Sequence, residues 1–280
     1  MIVNGSQQQN IDIADRAFQY GDGCFTTMAF RNGHLELFEA HIERLKWACR
    51  RLFIEFDKWS KLKDCILDSI KSSNEIVVKV MITRGSGGRG YHPEGAVNPR
   101  FIITHHPLPT HYSDWQRKGI SVTTSPIELA LQPLLAGIKH LNRLEQVLIK
   151  QALAKTPFDD AIVCDTRQQV VESSMGNLFW YNKDVWYTAD LSGAGVEGVM
   201  RNLVLDVMQQ IGQEVLIVKQ GIHTLFSAQE IFVCNALMKL VPITSVFDHM
   251  IQKRVSYPIK HCTQLQQHVH QAIKLKAIKV

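Results

Sequence analysis

No apolar run in this sequence approaches the roughly 20 residues that span a bilayer. The first residues, Met-Ile-Val-Asn-Gly, reach a turn signal with no charged or apolar leader ahead of it, so no signal peptide is expected. Cysteine is sparse. Six residues, at positions 24, 49, 65, 164, 234 and 262, include no pair at zinc-knuckle spacing. A chain of 280 residues builds a core without staples, so these read as reduced, mostly packing thiols of a cytoplasmic protein. The twelve histidines supply no H-E-x-x-H and no Cys/His cluster at ligand spacing, and no metal is expected. His105 and His106 adjoin on a strand end and face opposite ways. A G-x-S-x-G elbow is missing, which removes serine hydrolase chemistry of that type. Acid is missing from the tail. After Asp248 the charges are Lys253, Arg254, Lys260, Lys274, Lys276 and Lys279, and those six account for the net charge of +5. The rest of the chain is near neutral, with 25 basic residues left against 26 acidic. Such a tail reads as a solvated helix face rather than a nucleic-acid-binding stripe.

What is present is a mixture of short strands and helices. Residues 1–3 predict a strand closed by Asn4-Gly5, and residues 24–30 a second, followed by the hairpin signal Arg31-Asn32-Gly33-His34. From Phe38 the pattern turns helical: Leu45, Ala48 and Leu52 share a side, with His41 and Arg44 alongside. Residues 58–71 predict another helix, and residues 75–83 and 101–104 predict central strands. The stretch 105–114 (HHPLPTHYSD) is the best linker candidate. Beyond it, strands are expected at 120–124, 161–164, 170–172, 178–181, 185–187, 214–218 and 231–234. Helices are expected at 141–155, 199–210 and 261–276, the last with Leu265, Val269 and Ile273 on one stripe. Without a regular βαβ rhythm, the order favours an α+β (mixed α/β) chain of two domains over one doubly wound sheet. The division expected is 1–108, a linker at 109–114, and 115–280.

Gly85-Ser86-Gly87-Gly88-Arg89-Gly90 matches G-x-G-x-x-G after a strand, but Tyr91-His92-Pro93 follows where a dinucleotide site needs a helix. No Lys-Ser/Thr completes a P-loop. What remains is a loop carrying Arg84, Arg89 and Tyr91, donors suited to a carboxylate, although solvation alone would explain the arginines. Elsewhere Lys139 precedes a helix, Glu172 ends a strand before Ser173-Ser174-Met175-Gly176-Asn177, and Gly195-Val196-Glu197-Gly198-Val199-Met200-Arg201 opens a helix. Singly, each is more often structural. Together they offer an amine, a carboxylate and a phosphate-sized helix N-terminus, the parts that pyridoxal phosphate requires.

With Asp15–Thr27 (DRAFQYGDGCFTT), 84–91 (RGSGGRGY), 136–147 (AGIKHLNRLEQV) and 234–238 (CNALM), these segments make the chain resemble the fold-type IV pyridoxal-phosphate enzymes. That group holds branched-chain and D-amino acid aminotransferases and aminodeoxychorismate lyases, and the resemblance runs closest to the bacterial lyases. It covers nearly the whole chain and is poorest beyond Phe247. It implies a D-amino acid aminotransferase-like architecture with a cofactor cleft between the domains, and a homodimer. Lys139 matches the lysine that carries the cofactor, Glu172 the carboxylate on the pyridine nitrogen, and Arg44 the arginine that grips the phosphate. Backbone groups of Val199 and Met200, with Asn235 and Ala236, match the rest of the phosphate cup, and Asn177 belongs with the cofactor set. Thr26, Thr27, Arg84, Arg89 and Tyr91 are the implied substrate contacts. Branched-chain aminotransferases carry tyrosine five residues after the lysine, where this chain has Leu144, and an acid where it has Thr26 and Thr27. Both departures favour the lyase, which eliminates pyruvate from 4-amino-4-deoxychorismate to give 4-aminobenzoate for folate. An aminotransferase of the same fold, or a non-catalytic binding protein that kept the fold, are the alternatives. Neither nucleic acid nor membrane is an expected partner.

Overall fold

The Asn4-Gly5 turn joins β1 (Ile2–Val3) to β2 (Ser6–Gln7) in an antiparallel pair. This computed structural model describes residues 1–71 and 73–280. A short helix, α1 (Arg16–Tyr20), is capped by Asp15, whose carboxylate accepts from the Ala17 N–H. Then come β3 (Gly23–Arg31) and β4 (His34–Leu35), joined at the expected Asn32-Gly33 turn, followed by α2 (Phe38–Arg51) and α3 (Trp59–Ile70). The strands β5 (Ile76–Thr83) and β6 (Arg100–His106) pair antiparallel over their length. Helical spacing explains why α2 packs on the sheet. Phe38, His41, Ile42, Leu45, Ala48 and Cys49 fall on one stripe and are all buried.

The helix α4 (Tyr112–Lys118) starts inside the stretch expected to be linker. Its signal is weak: none of its residues is buried, and two prolines just upstream mask its start. After β7 (Ile120–Thr124) come α5 (Leu144–Leu153), β8 (Asp160–Cys164), β9 (Val170–Ser173), β10 (Asn177–Asn182) and β11 (Val185–Ala189). Next are α6 (Val199–Gln210), β12 (Val215–Val218), α7 (His223–Phe226) and β13 (Glu230–Asn235). The chain closes with β14 (Lys239–Asp248), β15 (Lys253–Ser256), α8 (His261–Lys276) and β16 (Ile278–Lys279).

Among the described residues the strands form two sheets. The first has the order β16-β4-β3-β5-β6-β1-β2, and the second runs β12-β11-β10-β13-β14-β7-β8-β9, with β15 paired to β14. The ten-residue β14 is the longest strand of the second sheet and is not predicted from its pattern. Pro242 lies inside it, and proline usually argues against a central strand. The ladder to β7 accommodates it with a register shift between Ile243 and Ser245. Two compact units result. One comprises residues 1–108, 138–142 and 273–280; the other comprises 109–137 and 143–272. In the first, Met28, Leu45, Ile66, Val78, Phe101 and Ile138 belong to one core. In the second, Leu178, Trp180, Ile231, Val233 and Val241 fill another.

Candidate functional site

Lys139 sits in the first unit because the strand-like segment around it pairs with the start of β3. The Phe25 N–H donates to the Lys139 carbonyl (2.9 Å), and the Leu141 N–H donates to that of Gly23 (3.0 Å). Successive side chains of a strand alternate faces, so β3 sends Phe25 and Thr27 one way and Thr26 the other. The Lys139 amine stands 4.6 Å from the centroid of the Phe25 ring. The Lys79 amine is 5.0 Å from the same ring, and Lys79 is the register partner of Thr27. An aromatic ring, two amines and the half-buried Thr27 therefore cluster around one face of β3.

Thr26 faces α2 and is fully buried. Its hydroxyl lies 2.6 Å from Nδ1 of His41 and accepts a hydrogen bond from Nη2 of Arg44. The structure thus gives Thr26 partners inside the protein in place of the substrate contact expected of it. Burial, aided by the Arg44 charge, holds the pKa of His41 well below the ordinary 6.5.

Arg84 is also engaged by the protein. It donates to Asp22 (2.7 Å) and to the carbonyls of Phe53 (2.6 Å) and Leu52 (2.7 Å). Asp22 takes a second bond from Arg16 (2.9 Å). Burial alone would raise the Asp22 pKa, but the bonds from Arg84 and Arg16 outweigh it and hold the carboxyl below its usual range. Arg16 then reaches the glycine loop, donating to the carbonyls of Gly90 (3.0 Å) and Tyr91 (3.1 Å). No helix follows that loop, as its sequence predicts. Arg89 and Tyr91 are exposed at its tip, and the Tyr91 ring meets that of Tyr20 edge-on.

In the second unit Glu172 is buried in β9, and its Oε2 accepts from the Val196 N–H (3.0 Å). Asn177 holds the same loop from the other side: its Nδ2 donates to the Val196 carbonyl (2.8 Å). The glycines of the loop answer to this packing. Gly195 has φ +83°, where a side chain is strained, and an added Cβ would lie 2.5 Å from Val171. At Gly198 a Cβ would lie 2.3 Å from Oδ1 of Asn177. Gly198 is the N-cap of α6 and offers no side-chain cap, so the first N–H groups, Val199 and Met200 among them, are left to a ligand or solvent. Arg201, in the same turn, is buried. Its Nη2 donates to the Ala189 carbonyl (3.0 Å), while its Nε has no hydrogen-bond partner among the described residues. The Asn235 side chain shapes the turn after β13, donating to the Met175 carbonyl (2.9 Å) and accepting from Leu237 and Met238, with Ala236 between.

Taken unit by unit, these residue types fit pyridoxal phosphate. An uncapped helix N-terminus beside a buried arginine donor suits its phosphate. A buried carboxylate steadied by a backbone N–H suits its ring nitrogen, and a lysine amine suits its aldehyde. The roles of Phe25, Lys79, His41 and Arg16 are not legible in the motifs. Strand alternation separates Thr26 from Phe25 and Thr27, but the placing of Lys79 needs the register of β5 on β3.

Comparison with known proteins identifies the family and the fold. The family model for class IV amino-transferases matches residues 23–246. The chain is 37% identical over 262 residues to an aminodeoxychorismate lyase of Vibrio harveyi, covering 94% of this chain and 96% of that one. The crystal structure of 4-amino-4-deoxychorismate lyase from Pseudomonas aeruginosa superposes with a TM-score of 0.89 at 33% identity, covering 96% of this chain and 97% of that one. The branched-chain amino acid aminotransferase of Escherichia coli shares the fold, with a TM-score of 0.84 at 18% identity, covering 97% of this chain and 93% of that one.

Proposed function

Because the chain belongs to the class IV amino-transferase family, we propose that it is a pyridoxal-phosphate lyase converting 4-amino-4-deoxychorismate to 4-aminobenzoate and pyruvate. The observation that carries this reading is the 37% identity, across almost the full length of both chains, to a lyase of that activity. Leu144, where branched-chain aminotransferases carry tyrosine, supports it.

Arg44 of the first unit, and in the second unit the first N–H groups of α6, would hold the cofactor phosphate, and Glu172 would set its carboxylate toward the pyridine nitrogen. Asn177 and Asn235 support the loops on which those groups stand. Bound there, pyridoxal phosphate supplies a ring that withdraws the electron pair left behind when a proton leaves the substrate. Lys139 is the base that would remove the proton from the substrate ring carbon bearing nitrogen. The bond to the enolpyruvyl oxygen then breaks and the ring becomes aromatic. Lys139, now an ammonium, returns a proton to the departing enolpyruvate, which leaves as pyruvate. No keto-acid acceptor enters this balance. Thr27 stands on the Lys139 face of β3, and Arg89 and Tyr91, exposed on their loop, are the groups we assign to substrate carboxylates.

We also propose a homodimer. Leu144, Val147 and Leu148 form an exposed apolar stripe on α5, with Leu134 exposed nearby in sequence. A cytoplasmic location accords with six cysteines that are all free. The deciding assay supplies 4-amino-4-deoxychorismate without any keto acid. Equal amounts of 4-aminobenzoate and pyruvate are expected, with at most weak transamination of D-alanine. Efficient D-alanine transamination with no 4-aminobenzoate would make the protein an aminotransferase instead.

A further inference from the structure

A buried threonine hydroxyl with a cation on one side and an imidazole on the other has few ways to arrange its proton. Arg44 can only donate, because guanidinium has no acceptor. The Thr26 oxygen therefore accepts from Arg44. The same hydroxyl carries one hydrogen, and its other neighbour is Nδ1 of His41 at 2.6 Å. Thr26 is fully buried and His41 is 1% exposed, so water does not complete the set. The arrangement that gives the Thr26 hydroxyl hydrogen an acceptor has the Thr26 O–H donating to an unprotonated Nδ1, with the ring hydrogen of His41 on Nε2. Reversing it, with Nδ1–H donating, would leave the hydroxyl hydrogen buried without an acceptor. A charged ring, which needs Nδ1–H, is opposed by burial and by the neighbouring guanidinium.

We propose that His41 is a positioning residue for Arg44: as a neutral Nε2–H tautomer it turns the lone pairs of Thr26 toward the guanidinium and so orients Arg44 for an anionic phosphate. This rests on the reading of Arg44 as the phosphate arginine, and it moves Thr26 from the substrate to the cofactor side of the chemistry. The geometry explains the local sequence. His41 and Arg44 are three residues apart on α2 and so lie on neighbouring positions of one face. Thr26 is the residue of β3 that points at them, and at this position valine would keep the shape while losing the hydroxyl.

The test compares the dissociation constants of pyridoxal phosphate and of pyridoxal for the apoprotein, measured by cofactor absorbance or fluorescence quenching. In Arg44→Ala, the preference for the phosphorylated form should collapse, which checks the underlying reading on its own. In Thr26→Val and His41→Phe, binding of pyridoxal phosphate should weaken by about tenfold, the worth of one charge-assisted hydrogen bond, while pyridoxal binding stays unchanged. Thr26→Ser should restore the wild-type value. Independently of any variant, nitrogen-15 shifts of histidine-labelled wild-type protein should show the His41 ring as neutral with Nδ1 unprotonated. Loss of the preference in Arg44→Ala but not in Thr26→Val overturns the inference and spares the reading. No loss in Arg44→Ala overturns the reading. An Nδ1-protonated His41 overturns the inference outright.

Discussion

Lys139 is the residue on which the proposed chemistry turns, since it serves as cofactor anchor, base and acid. Removing it deletes functions that act as a unit, so the loss is far from additive. We expect Lys139→Ala to lower turnover by about a thousandfold or more, while Arg44 and the α6 N-terminus still retain some cofactor. Wild-type-like turnover would show that the lysine is wrongly assigned. His41 carries a second expectation at this scale. Its folded-state pKa lies well below the ordinary 6.5 because of burial and then Arg44. Above pH 6.5 both the folded and unfolded forms leave the ring neutral, so that stability is fully present. As pH falls below 6.5 the unfolded chain takes up a proton that the folded one refuses, and stability drops by about 1.4 kcal/mol per pH unit until the folded pKa is reached. Urea midpoints measured from pH 7.5 down to 5 should fall more steeply in wild type than in His41→Gln. Equal slopes would place the depressed pKa elsewhere.

The loop between β11 and α6 concentrates the element-scale requirements of the site. Glu172 and Asn177 pin Val196 from its N–H and its carbonyl, and Gly198 lets the helix start within touching distance of Asn177. Gly198→Ala places a methyl 2.3 Å from Oδ1 of Asn177, closer than any real contact, and should cost about 1–3 kcal/mol by overpacking. Shortening the neighbour as well, in Gly198→Ala/Asn177→Ala, should give less than the sum of the two single losses. Thermal melts of the four proteins measure that coupling. Strict additivity would mean that the loop does not pack in solution as it does here. The glycine loop of the first unit differs in kind. It is tied down from outside by Arg16, whose bonds to the Gly90 and Tyr91 carbonyls leave Arg89 and the Tyr91 ring projecting.

For the whole molecule, the apolar residues left on the surface are the main unspent feature. Leu144, Val147 and Leu148 are 69%, 57% and 54% exposed, at the i, i+3, i+4 spacing of one helix face. A face of that kind on a folded chain marks an interaction surface. Sedimentation at micromolar protein should give a species of twice the 31.8 kDa chain mass, and Val147→Asp/Leu148→Asp should shift it to monomer. A wild-type monomer would remove the dimer from the proposal.

Local physics accounts for what the sequence determined by itself. Period 3.6 marked α2, α6 and α8, period 2 and β-branched runs marked β3, β5 and β7, and Asn-Gly pairs marked the two early turns, because each signal acts within a few residues. The roles we propose for Lys139, Glu172 and the glycines before α6 have the same local origin, in short segments whose residue types suit one chemistry. Tertiary structure decided the rest. β14 carries no clear local strand signal because Pro242 breaks its pattern, and the register shift beside that proline exists only against β7. Thr26 and Thr27 read alike in the chain, yet pleating sends one to Arg44 and His41 and leaves the other on the Lys139 face. Arg84 read as a free donor until the fold brought Asp22, Leu52 and Phe53 to it from distant positions. The return of residues 138–142 to the first unit is likewise a matter of long-range pairing with β3. Such pairing is set by which edge hydrogen bonds remain open once the sheet has formed, and no local pattern encodes it.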